Sequence, residues 1–118
     1  MVVDDEPDNV ATIEQELKHH GFIVIGFTNP FQALEQLEGE GINFVHLVIA
    51  EVRMAKMSGF QLARKIKKLR MDVRVILVSA FEVNKDEFGK VLPSTQIDGF
   101  LDKPFHVNEL VEAIKNFD

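Results

Sequence analysis

Phe44-Val-His-Leu-Val-Ile-Ala-Glu-Val-Arg-Met-Ala-Lys-Met-Ser-Gly59 opens as an apolar run, ends abruptly on a carboxylate at Glu51, and breaks into a loop closed by Ser58-Gly59. Its apolar residues do not recur at a spacing of 3.6, so the run predicts a buried strand. An acid at the carboxyl end of such a strand is costly unless a cation, a hydrogen-bond donor or water meets it there. Glu51 is therefore the first candidate for chemistry, and the rest of the chain is read for what could surround it.

On the N-terminal side, Val2-Val3 reads as a short apolar strand that runs straight into Asp4-Asp5-Glu6-Pro7. Pro7 suits a first helical position, and Val10, Ile13 and Leu17 follow at helical spacing up to His19-His20-Gly21, with Gly21 as the C-terminal cap. The two histidines suit a helix C-terminus; neighbours in a helix do not face each other, which disfavours a metal pair. Phe22-Ile-Val-Ile-Gly-Phe27 predicts a second strand, with no acid at its end. Asn29-Pro30 then starts a helix that turns Ala33, Leu34 and Leu37 inward and ends near Gly39.

On the C-terminal side, Ser58-Gly59 begins a helix with Phe60, Leu62, Ala63, Ile66 and Leu69 apolar. Arg64, Lys65, Lys67, Lys68 and Arg70 alternate with them and read as a solvated basic face, not a nucleic-acid grip. Val73-Arg-Val-Ile-Leu-Val-Ser79 predicts a fourth strand. Asn84 with Glu87 resembles a capping box for a short helix that must stop before Pro93. Ile97-Asp-Gly-Phe-Leu101 predicts a weaker fifth strand, followed by Asp102-Lys103-Pro104 and a last helix with Leu110, Ile114 and Phe117 inward.

Strand and helix thus alternate with short connections, which predicts an α/β fold: a parallel five-stranded sheet, doubly wound, with helices on both faces. In such open sheets ligands sit beyond the carboxyl ends of the strands. The residues at those ends are Asp4, Asp5, Glu51, Ser79 and Lys103.

Composition bounds the function. The 118 residues, 46% of them hydrophobic, suit one domain spanning 1–118 with a single core and no output domain. A formal net charge of −6 argues against direct nucleic-acid binding as the main activity. There is no cysteine, so disulfides and thiolate metal sites are excluded. No apolar run reaches the roughly 18 residues of a membrane span, and Met1-Val-Val-Asp-Asp does not read as a signal peptide, so a cytoplasmic location without a membrane partner is expected.

Carboxylates gathered at one spot repel one another, and the usual resolutions are a raised pKa, a neighbouring cation or a bound hard metal; an oxygen-only donor set without cysteine points to magnesium. A lysine from another strand end supplies fixed positive charge, and a serine hydroxyl supplies a donor. These are the parts that phosphoryl transfer uses.

With those residues in view, the whole chain resembles the receiver domain of two-component response regulators, in the manner of the chemotaxis regulator. The resemblance rests on Val2-Val3-Asp4-Asp5-Glu6-Pro7, Val52-Arg53-Met54 with Met57-Ser58-Gly59, Val78-Ser79-Ala80 and Lys103-Pro104-Phe105, matching in order and spacing. It implies a flavodoxin-like (βα)5 sandwich with strand order 2-1-3-4-5. It further implies that Asp4 and Asp5 hold Mg2+ with Glu51 and the Arg53 backbone carbonyl, that Ser79 is the switch hydroxyl, Lys103 the phosphate-contacting lysine and Phe100 the aromatic switch position. In the family the peptide before the proline of the Lys-Pro pair is commonly cis, which marks Pro104.

The chain departs from the family pattern inside the opening stretch. Glu51 stands where the family has the aspartate that accepts phosphate from a kinase phosphohistidine, and Ala55-Lys56 stands where Pro-Gly is usual. The longer carboxylate reaches toward the space of the phosphoryl group, so the expected function is a non-enzymatic signalling module whose phosphorylation is lost or imitated. The alternatives are an active acceptor that slowly dephosphorylates itself and a flavodoxin-like cofactor carrier; the acidic loop after strand 1 disfavours the carrier, because a flavin phosphate favours amides and hydroxyls there. The resemblance implies a histidine kinase or phosphotransfer protein and a downstream protein target as partners, and a monomer or weak dimer.

Overall fold

The computed structural model describes residues 1–39, 45–79 and 97–116. In chain order the elements are β1 (Val2–Val3), α1 (Pro7–His19), β2 (Gly26–Phe27), α2 (Pro30–Glu38), β3 (Leu47–Glu51), α3 (Gly59–Leu69), β4 (Arg74–Ser79), β5 (Gly99–Asp102) and α4 (Val107–Lys115). All strands pair in parallel, in the order β2-β1-β3-β4-β5. The flavodoxin-like order expected above is the order observed. The predicted helix at Asn84 and Glu87, together with Phe44, Ala80 and Phe117, lies outside the described residues.

Because side chains alternate across a strand, each central strand feeds two cores at once. Val3, Val48, Ala50, Val75 and Leu77 face one cluster, with Ala33 and Leu37 of α2 and Leu62, Ala63 and Ile66 of α3. Val2, Ile49, Ile76 and Val78 face the other, with Ile13 and Leu17 of α1 and Leu110 and Val111 of α4. Burial on both faces explains why β3 and β4 read as continuous apolar runs.

The helix ends follow their local chemistry. Asn29 accepts from the Phe31 amide to start α2, and Ser58 and Gln61 form a reciprocal capping box at α3. Past the end of α1, Gly21 takes φ +90°, a left-handed conformation that glycine adopts without strain. His20 caps this helix, its Nδ1 2.9 Å from the Glu16 carbonyl, and its ring meets that of His19 edge to face with centroids 6.0 Å apart.

Three expectations need correction. Strand 2 is shorter than Phe22 to Phe27: as an edge strand it pairs only with β1, whose ladder is two residues long, so Gly26 and Phe27 alone are paired. Leu69 is exposed at the end of α3, not part of its buried stripe. Lys67 does not belong to a solvated face. It bends back to the sheet, where its Nζ donates to the Val73 carbonyl at 2.7 Å and to Asp98 Oδ2 at 2.8 Å.

Candidate functional site

Parallel pairing brings the carboxyl ends of β1, β3, β4 and β5 to one rim of the sheet, and the polar residues buried there are Asp4, Glu51 and Ser79. Glu51 is the last residue of β3, paired with Val78 of β4. Its backbone is pinned because the Val52 amide donates to the Val78 carbonyl at 2.9 Å and the Gly59 amide to the Val52 carbonyl at 2.8 Å. Only glycine fits at position 59: a Cβ there would lie 2.4 Å from the Glu51 carbonyl oxygen. The start of α3 thus packs directly on the backbone that presents Glu51.

Asp4, just past β1, is 2% exposed. Its Oδ1 accepts from the Glu6 amide at 2.9 Å, a side-chain-to-backbone turn that leads the chain into α1. Its Oδ2 faces Lys103 Nζ at 3.4 Å. The same ammonium lies 2.7 Å from Glu51 Oε2. That approach pairs the two charges directly, with Oε2 buried beneath the ammonium. Lys103 is held from behind: its amide donates to the Ser79 carbonyl at 2.7 Å, and its peptide bond to Pro104 is cis. Burial alone would lower the pKa of the Lys103 ammonium, but the Glu51 carboxylate, helped by Asp4, outweighs it and holds the value above that of an ordinary lysine.

Asp5, more exposed than Asp4, is engaged by a different loop. Its Oδ2 accepts from the Ala55 amide at 2.9 Å, linking the loop after β1 to the loop after β3 across 50 residues. Nothing in the pattern of apolar and charged residues signals this contact, because the donor is a backbone group.

Of the other expected site residues, Ser79 and Arg53 lie along the same rim, and Phe100 lies within β5. Ser79 is fully buried at the last position of β4, opposite Asp102. Phe100, in β5 opposite Leu77, packs partly buried against the core cluster that contains α2 and α3. Arg53 follows the end of β3 with an exposed side chain. None of these three is without a partner in the fold. The site therefore joins Asp4, Glu51 and Lys103 directly and Asp5 by way of Ala55.

As a donor set, two aspartates, a glutamate and backbone carbonyls fit a hard divalent cation. Even so, among the described residues no three His, Asp or Glu side chains are already grouped around a metal position. Each acid is held by a donor or cation of the chain itself.

Residues 1–115 match the family described as response regulator receiver domain. The chain belongs to that family. It is 33% identical over 115 residues to the heme response regulator HssR of Staphylococcus saprophyticus, covering 98% of this chain and 49% of that protein. It is 31% identical over 115 residues to the sensor kinase CckA of Brucella abortus, covering 98% of this chain and 12% of that one. The chain thus spans about half of the first relative and a small part of the second. Among solved structures, a response regulator receiver domain protein from Clostridium thermocellum superposes with a TM-score of 0.85 at 27% identity, covering 98% of this chain and 89% of the other. The receiver fold, the five-stranded parallel sheet and membership of the two-component family therefore stand together, and among the described residues no helix is long and apolar enough to cross a membrane.

Proposed function

We propose that this receiver acts in a two-component phosphorelay with Glu51 in the place of the phospho-accepting aspartate, and that its ordinary phosphorylation is lost and partly imitated by Glu51 itself. The observation that carries this reading is the 2.7 Å contact between Glu51 Oε2 and Lys103 Nζ. The lysine that would meet the phosphoryl oxygens is already engaged by the acid. Glutamate is one methylene longer than aspartate, and in-line attack tolerates little misplacement of the nucleophile. The imitation is partial, because a carboxylate offers one charge and two oxygens where a phosphoryl group has about two charges and three oxygens.

In this reading the domain is a binding module and not an enzyme. Its upstream partner is a histidine kinase or phosphotransfer protein and its output is a protein-binding surface. It works in the cytoplasm as a monomer or weak dimer, without direct contact to nucleic acid or membrane. Asp4, Asp5 and Glu51, with the Arg53 backbone carbonyl, would hold Mg2+, which when bound neutralises charge on neighbouring oxygens. Ser79 and Phe100 would report the state of the site to the rest of the fold. The composition of the acid set and the likeness to receiver proteins support these assignments.

The test is incubation with acetyl phosphate and Mg2+, read by intact mass. The expected result is no gain on the unaltered chain and a gain of one phosphoryl group on Glu51→Asp. A phosphoryl gain on the unaltered chain supports the active-acceptor reading instead.

A further inference from the structure

We infer that the Ala55 backbone amide competes with a divalent cation for the Asp5 carboxylate, so that cation binding and the attachment of the β3–α3 loop to Asp5 exclude each other. The inference rests on the metal-site part of the proposed function and concerns a residue which that reading does not use.

Three observations lead to it. No three acidic or histidine side chains among the described residues are grouped closely enough to hold a metal, so a cation shared by Asp4, Asp5 and Glu51 requires at least one of them to move. Asp4 is nearly fully buried and engaged at both oxygens, by the Glu6 amide and by Lys103. Glu51 is 7% exposed and in ionic contact with Lys103. Asp5 is the acid with room to swing, because it is only partly buried and is held by the 2.9 Å bond from Ala55 N–H. Turning its carboxylate toward Asp4 and Glu51 breaks that bond.

Ala55 is suited to this role by being neither proline nor part of a ladder. Any residue except proline brings an N–H to this position, and Ala55 lies in the exposed loop between β3 and α3, where its amide is free of strand pairing. The loop it would release, residues 53–58, runs from Arg53 to the Ser58 cap of α3. Because coupling is reciprocal, a cation that detaches Ala55 is itself bound more weakly by the cost of detaching it.

The experiment titrates Mg2+ by calorimetry into the unaltered chain, Ala55→Pro and Ala55→Ser. It also follows the Ala55 amide of the 15N-labelled unaltered chain through the same titration. The proline variant, lacking the donor, is expected to bind Mg2+ about three- to tenfold more tightly, as a partly exposed hydrogen bond to a carboxylate allows. The serine variant keeps the N–H and the original affinity. In the unaltered chain the Ala55 amide proton shifts and exchanges faster as Mg2+ saturates. Equal or weaker binding by a folded Ala55→Pro overturns the inference and leaves the metal reading intact, as does an Ala55 amide that is unmoved at saturation. If no form binds Mg2+, the inference and the metal part of the proposed function fall together.

Discussion

Glu51 and Lys103 form an ion pair at the carboxyl end of the sheet. The acid ends a strand that is buried on both faces, so it needs a cation, and the ammonium at 2.7 Å supplies one. Removing one partner of such a pair costs more than the pair contributes, because the charge left behind stays desolvated. Lys103→Met leaves Glu51 buried without its cation; it is expected to lower stability in chemical denaturation by about 1–3 kcal/mol, below the range for fully buried pairs because the lysine side chain is 20% exposed. Since the folded-state pKa of Lys103 is raised, the stabilisation it gives is fully present below the unfolded lysine value of about 10.4 and fades as pH rises through the higher folded value. The difference between the unaltered chain and Lys103→Met therefore persists at neutral pH and shrinks in strong alkali. A difference that is already absent at pH 8 would show that the pair contributes nothing.

At the scale of elements, β5 is secured by a clamp that no motif announces. Asp98 Oδ2 accepts from Lys67 Nζ and from the Val75 amide, each at 2.8 Å, and Oδ1 faces Arg74 at 3.3 Å, so one carboxylate ties α3, β4 and the start of β5. Burial would raise the Asp98 pKa, but the Lys67 ammonium, the Val75 amide and Arg74 together hold it below the usual carboxylate value. A carboxylate whose folded pKa is depressed contributes stability above its unfolded value, near 3.9, and loses it as pH falls through the folded one. Asp98→Asn should cost about 1–2 kcal/mol at pH 7, and the cost should shrink as pH falls below the unfolded value and through the lowered folded one, as measured by urea denaturation across pH. An equal cost at pH 7 and pH 2.5 would assign the loss to packing and not to charge.

At the scale of the molecule, the fold was legible because its two-sided core makes β3 and β4 nearly continuous apolar runs and leaves polar residues only at strand ends. The same logic places Asp4, Asp5, Glu51, Ser79 and Lys103 at the carboxyl ends of the strands from the sequence alone. Other features were not legible. The length of β2 depends on its partner strand, the inward turn of Lys67 on an aspartate 31 residues away, and the hold on Asp5 on a backbone amide that any residue but proline would provide. Long-range pairing of this kind leaves no periodic trace in a sequence.

In the proposed function Glu51, paired with Lys103, takes the place of the phosphoryl group. Beryllofluoride in the presence of Mg2+ tests it most directly, since that ligand needs a metal and a correctly placed acceptor carboxylate, and 19F NMR reports its bound form. No bound signal is expected on the unaltered chain, and a saturable one on Glu51→Asp. Tight, saturable binding to the unaltered chain would contradict it.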